Sequence, residues 1–126
     1  MKRIARLILI ITPLLLMSCS ADHGDSPAGF DFSAPDSPTD FTVTTSPNEL
    51  TLEWDYPGDI AEVSEFRVYY FYEMYGLEEF VGTASGMTYI DEDLIGNMIY
   101  CYKVSAVDLD GHEGPRTGTI CEMTQD

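Results

Sequence analysis

Positive charge is what this sequence has least of. Six Lys and Arg stand against 22 Asp and Glu, for a formal net charge of -16, and three of the six (Lys2, Arg3 and Arg6) fall in the first six residues. A field that negative repels phosphate backbones and anionic lipid surfaces, which excludes nucleic acid as a partner. It maintains solubility, and beyond that it suits only a cation-dependent or basic partner. Histidine is nearly as scarce, with His23 and His112 alone. Neither has a visible acid-base partner, so no catalytic site, metal site or cofactor site is expected. Carboxylates are so plentiful that pairs of them occur by chance and do not argue for glycoside hydrolysis. After Met17 no apolar run is long enough to span a bilayer. There is no sustained helical period after Phe41 either.

The first twenty residues are organised differently from the rest. Lys2, Arg3 and Arg6 precede an apolar stretch from Leu7 to Met17, broken only by Thr12 and Pro13, and Ser18-Cys19 follows. This is the three-part layout of a secretory signal. Leu16-Met17-Ser18-Cys19 resembles the lipobox of bacterial lipoproteins. That resemblance implies cleavage ahead of Cys19 and a diacylglycerol on its sulfur, and the alternative is a plain secreted product. Each buried methylene contributes about 0.8 kcal/mol, so two or three acyl chains make a stable anchor. Ser20 in place of Asp after the cysteine implies onward export to the outer membrane, on its periplasmic face or at the cell surface. From Ser20 to about Pro38 the chain is rich in Asp, Ser, Gly, Pro and Ala, with only Phe30 and Phe32 as large apolar residues. Such a composition does not order itself. A flexible chain of that length reaches roughly 20–25 Å. The expected organisation is a signal peptide over 1–18, a lipidated Cys and flexible linker over 19–36, and a folded domain over 37–126.

From Phe41 onward the apolar spacing is two, interrupted every eight to twelve residues by turn residues. Phe41 and Val43 alternate, then Ser46-Pro47-Asn48 turns the chain. Leu50, Leu52 and Trp54 share one face of a second strand, with Thr51 and Glu53 on the other. The third strand, Phe66 to Tyr72, is apolar or aromatic on both faces, with Phe66, Val68 and Tyr70 as the inward set. Short strands follow over Glu79 to Thr83 and Thr88 to Ile90, then a strong one from Tyr100 to Val107 whose even-numbered residues are the apolar face. Asp108 to Pro115 is a hairpin loop, and Arg116 to Met123 is the returning strand. The pattern is that of an all-β, seven-stranded antiparallel sandwich.

The order and spacing of these residues resemble a fibronectin type III domain over about residues 37–124. Pro35 and Pro38 resemble its leading prolines, and Leu50-Thr51-Leu52-Glu53-Trp54 its second strand with the buried Trp. Phe66-Arg67-Val68-Tyr69 resembles the third strand. Leu94 followed six residues later by Tyr100 resembles the tyrosine corner. Tyr100-x-Tyr102-x-Val104-x-Ala106-x-Asp108-x-x-Gly111 resembles the sixth strand and its exit turn. An immunoglobulin domain would place a disulfide between its second and sixth strands, where Leu and Tyr stand here. Trp54, Leu94, Tyr100 and Tyr102 are therefore the expected core.

With Cys19 lipidated, Cys101 and Cys121 remain, on an export route where disulfides persist. Their positions average to Gly111, so a symmetric hairpin sets them directly opposite each other on adjacent strands. A disulfide on the outer face is expected. The alternatives are two free thiols, or a bulge that turns one sulfur inward. Asp108-x-Asp110-Gly111 is similar to the start of a calcium loop but lacks its later ligands, and Asp91-Glu92-Asp93 is no stronger. The candidate contact surface is the outward face of the third strand with its turn: Arg67, Tyr69, Phe71 and Tyr75. In the competing reading these rings are covered by neighbours or by the strand from Glu79 to Thr83. The functional expectation is a lipid-anchored, non-enzymatic binding or adhesion module making protein or glycan contacts at the bacterial envelope. Alternatives are a passive spacer or structural subunit of an envelope assembly, and an accessory domain of a polysaccharide-degrading system.

Overall fold

The computed structural model describes residues 34–126. The expected signal segment, Cys19, His23 and most of the linker lie outside the described residues. The strands are β1 (Thr39–Ser46), β2 (Glu49–Asp55), β3 (Val63–Tyr72), β4 (Leu77–Ala84), β5 (Thr88–Asp91), β6 (Ile99–Asp108) and β7 (Ile120–Met123). They form a three-stranded sheet in the order β1-β2-β5 and a four-stranded sheet in the order β4-β3-β6-β7. All paired neighbours run antiparallel, as the alternating pattern requires. Among the described residues no helix is long and apolar enough to cross a membrane.

Period-two alternation turns one face of each sheet inward. Leu50, Leu52 and Trp54 of β2 meet Phe66 and Val68 of β3 and Tyr102, Val104 and Ala106 of β6, all buried. The Trp54 ring stands edge-on to Phe66 at 5.5 Å, with Phe41 against Trp54 at 6.5 Å and Tyr56 against Phe66 at 5.8 Å. Burying a ring of that size contributes about 4–6 kcal/mol as an upper estimate. Among the described residues the Trp54 Nε1 donor has no hydrogen-bond partner, which offsets about 1–3 kcal/mol of that gain.

A polar contact crosses the same core. Asp91, at the end of β5, is buried, and its Oδ2 accepts from the hydroxyls of Tyr70 on β3 and Tyr102 on β6, each at 2.7 Å. One carboxyl group thereby ties the three-stranded sheet to the two central strands of the other. Burial, and then the Asp91 carboxyl, push both phenols well above the usual tyrosine range. Asp91 is thus a core residue and not part of an open acidic cluster with Glu92 and Asp93.

The two ends of the sandwich differ. At one, Asn48 donates from its amide to Gln125 O at 2.8 Å and from Nδ2 to Leu94 O at 3.0 Å. There the Ile95 amide donates to Tyr100 Oη at 3.1 Å, above the buried Leu94. At the other end the chain joins the sandwich: the Asp36 amide donates to Tyr56 Oη at 3.2 Å, and Pro35 O lies so near Gly114 that a Cβ there would be 2.0 Å away.

The last strand is shorter than expected, Ile120–Met123 rather than Arg116 to Met123. Val107 bridges Glu113 while Tyr102 pairs with Ile120, so the returning chain carries two extra residues between these points. Thr117 fills the gap: its amide donates to Val104 O at 2.8 Å and its Oγ1 accepts from the Val104 amide at 3.0 Å.

Replacing Asp91 by Ala leaves two tyrosine hydroxyls without their acceptor inside the sandwich. Urea unfolding of D91A should show a loss of about 2–4 kcal/mol. A stability equal to wild type would mean that the sheets are not tied there.

Candidate functional site

Odd-numbered residues of β3 face outward, so Arg67, Tyr69 and Phe71 line up beside Ser105 and Lys103 of β6. The structure divides this expected contact surface in two. Tyr69 is only 7% exposed, with the Phe80 ring at 5.8 Å and the Arg116 guanidinium 4.1 Å above its face. Its hydroxyl donates to the Glu113 carboxylate. The same carboxylate accepts from Ser105 Oγ at 2.5 Å, from Arg116 at 3.2 Å and from Arg67 at 3.4 Å. Arg67 also bonds Glu65 and Arg116 also bonds Glu78, both at 2.9 Å.

Arg67 and Tyr69 are therefore engaged internally and do not form an open surface. The cause is the β6–β7 connection, which folds back over the sheet. The Gly114 amide donates to Ala106 O at 2.9 Å, and this brings Glu113 and Arg116 onto the face that periodicity alone leaves open. It also covers Ser105 and Val107, which are buried despite their outward register. Burial alone would raise the Glu113 carboxyl. Donation from Ser105 and Tyr69, with the charges of Arg116 and Arg67, holds it below its ordinary value of 4.5.

Phe71 and Tyr75 belong to a different place. Phe71 is half-buried with Lys103 Nζ 4.0 Å above its ring, and Tyr75 stands exposed in the β3–β4 turn. That turn closes through the amides of Tyr75 and Gly76, which donate to Tyr72 O at 3.0 and 2.8 Å, and Gly76 takes the positive φ of 63° that the reversal requires. Here the four-stranded sheet splits. The β3–β6 ladder ends at Tyr70 and Tyr102, while β3 follows β4 to the Tyr72–Leu77 pair and β6 follows β7 to the Ile99–Met123 pair. The diverging hairpins leave a cleft of about 370 Å³ lined by residues 70–75 and 98–101. Tyr72, Met74, Tyr75, Leu77, Met98 and Ile99 all expose large side chains around it. Sequence reasoning pointed to Phe71 and Tyr75 but missed the β6 side, whose signal was the Met98-Ile99 pair where the strand begins.

Cys101 and Cys121 are directly opposite on β6 and β7 and joined by a disulfide with S–S 2.04 Å on the outer face, as expected, although the hairpin is not symmetric and its two extra residues shift the register between Val107 and Tyr102. The Glu73 carboxylate lies 3.9 Å from Cys121 Sγ. With both sulfurs oxidised, the group Glu73, Cys101 and Cys121 offers no thiolate to a metal. His112 has a partner that the sequence did not reveal: its Nδ1 is 3.1 Å from Asp108 Oδ2. Asp108 Oδ1 accepts from the amides of Asp110 and His112 at 2.9 and 2.8 Å. Donation from the His112 backbone leads in holding the Asp108 carboxyl below its ordinary range. The carboxylate that was similar to a calcium ligand is engaged in closing its own loop.

Because the folded-state value of Glu113 is depressed, its stabilising contribution is present above the unfolded value and is lost as pH falls through the folded one. E113Q should lose about 1.5–3 kcal/mol at pH 7 and show a shallower decline of stability below the ordinary carboxylate value than wild type does. Equal slopes in acid-dependent urea unfolding would contradict the network.

No protein-family model matches the sequence, and no curated protein matches it. Solved structures do. The FN3tt domain is 23% identical, with a TM-score of 0.62, over 74% of this chain and 97% of that one. Domains A168–A170 of titin are 21% identical with a TM-score of 0.63, over 74% of this chain and 34% of that one. The β-1,2-glucanase from Parabacteroides distasonis is 17% identical with a TM-score of 0.63, over 75% of this chain but only 13% of the enzyme. Likeness at this level of identity speaks for fold alone, and the fold it gives is a fibronectin type III-like sandwich.

Proposed function

We propose that the chain is a lipid-anchored, non-enzymatic module that makes contacts with another macromolecule at a bacterial cell envelope. The exposed apolar end of the sandwich carries this reading: Tyr72, Met74, Tyr75, Leu77 and Ile99 crowd one end of a domain that is otherwise strongly acidic. Contiguous apolar surface of that kind usually belongs to an interface. Fibronectin-like sandwiches in general serve as binding or spacing modules, in keeping with the reading. The outer-face cluster of hydroxyl and carboxyl groups, where a reaction would have to be sought, has Ser105 fully buried and Glu113 shared among four donors, an arrangement suited to fastening a loop.

The anchor rests on Leu16-Met17-Ser18-Cys19. Strands of about eight residues at ~3.3 Å each separate the two ends of the sandwich by roughly 25 Å. The chain joins the described domain at the end opposite the apolar one. A second reading, an accessory domain of a polysaccharide-degrading system, draws on the likeness to part of the Parabacteroides distasonis β-1,2-glucanase.

Cells given an alkyne-tagged fatty acid should label the wild-type protein and hold it in the membrane fraction. The C19A variant should take no label. Unlabelled wild-type protein in the medium would overturn the anchored reading, and retention on insoluble glucan would favour the accessory one.

A further inference from the structure

We propose that the cleft between the diverging β3–β4 and β6–β7 hairpins receives a large apolar side chain from a cationic segment of a partner protein. The inference rests on the binding-module reading above and adds the place and the chemistry of the contact. The geometry comes first: the ladder between β3 and β6 ends at Tyr70 and Tyr102, and each strand then turns with its other neighbour. The opening of about 370 Å³ is at the small end of the ~300–1,000 Å³ typical of ligand clefts. That suits one or two side chains. Its walls are Phe71, Tyr72, Met74, Tyr75, Ile99 and Tyr100. Rings give rigid contact area, and an exposed methionine adapts to the shape of what enters.

Charge selects the occupant. The described residues carry nineteen carboxylates, the 22 of the chain less Asp22, Asp25 and Asp31, against Arg67, Lys103 and Arg116. Both arginines are held by carboxylates, Arg67 at Glu65 and Glu113 and Arg116 at Glu113 and Glu78, and neither lines the cleft. Lys103 sits on the Phe71 ring that forms one wall. Glu73 is the charged residue in the lining, and Glu79 bonds the Tyr72 hydroxyl at 3.3 Å. An apolar side chain flanked by Lys or Arg gains both burial and attraction there. A second copy of this chain would bring its own excess of carboxylates, and an anionic bilayer would be repelled.

The test uses the lipidated protein, 15N-labelled, in a non-ionic detergent, with empty micelles as the control. The probe is a short synthetic peptide with a central Trp-Leu pair between Lys residues, compared with one bearing Glu in place of Lys and one bearing Ser in place of the apolar pair. Only the first should shift amide resonances, and the shifts should gather at residues 70–75 and 98–101. Its affinity should fall at least about tenfold in the Tyr75→Ser, Ile99→Ser double variant, whose changed residues are exposed and leave the core intact. Shifts gathered on another face would sink the cleft while leaving a binding module. Equal binding of the Glu peptide would sink the cationic partner, and no binding of any peptide would overturn the proposal whole. The fatty-acid labelling of Cys19 reads the anchored module independently.

Discussion

The Asp91 carboxyl, accepting from Tyr70 and Tyr102 on the facing sheet, is the contact around which the rest is arranged. Apolar burial drives the sheets together but does not fix how they sit, because it is non-directional. Two hydrogen bonds to one oxygen are directional. They set the end of β5 over the last rung of the β3–β6 pair and hold both phenols against the core. The same two tyrosines are the last rung of the β3–β6 ladder, so the tie lies where the sheet begins to split. Tyr70 serves both arrangements, bonded to Asp91 at its hydroxyl and lining the cleft with its ring.

On the outer face a second carboxylate has a comparable part. Glu113 draws Tyr69, Ser105, Arg67 and Arg116 together and fastens the β6–β7 connection onto the sheet. Two of the three cations among the described residues are neutralised there, and the third lies over Phe71. The middle of the sheet is thereby closed and locally balanced in charge. The apolar end is open and bordered by acid. This division is why the proposed contact is placed at the end of the sandwich and not across its face.

Much of the fold was legible because it is local. Leu50-Thr51-Leu52-Glu53-Trp54 alternates within a single strand, and Cys101 and Cys121 stand on neighbouring strands of one hairpin, where their pairing was expected even though the two extra residues of the returning chain were not. What was not legible depends on residues distant in sequence. Asp91 reads as one of three consecutive acids until β5 is laid against β3 and β6. Tyr69 reads as an outward ring until the loop carrying Glu113 and Arg116 is folded across it, 44 residues away at the Tyr69–Glu113 contact. The splitting of the ladder after Tyr70 and Tyr102 is a matter of which neighbour each strand follows, and residue type carries little of that. Phe71 and Tyr75 were found because aromatic residues on the outward register of a strand and in its turn are unusual, but their partners Met98 and Ile99 stand at the very start of β6, ahead of the strand expected from Tyr100.

β3 and β6 are bonded as far as Tyr70 and Tyr102 and part beyond them. Cross-strand nuclear Overhauser contacts between α-protons of the two strands test it most directly. The structure predicts backbone proximity between Val68 and Val104 and between Tyr70 and Tyr102, with none between Tyr72 and Tyr100. A cross-strand contact at Tyr72 and Tyr100 would mean a continuous sheet with no cleft.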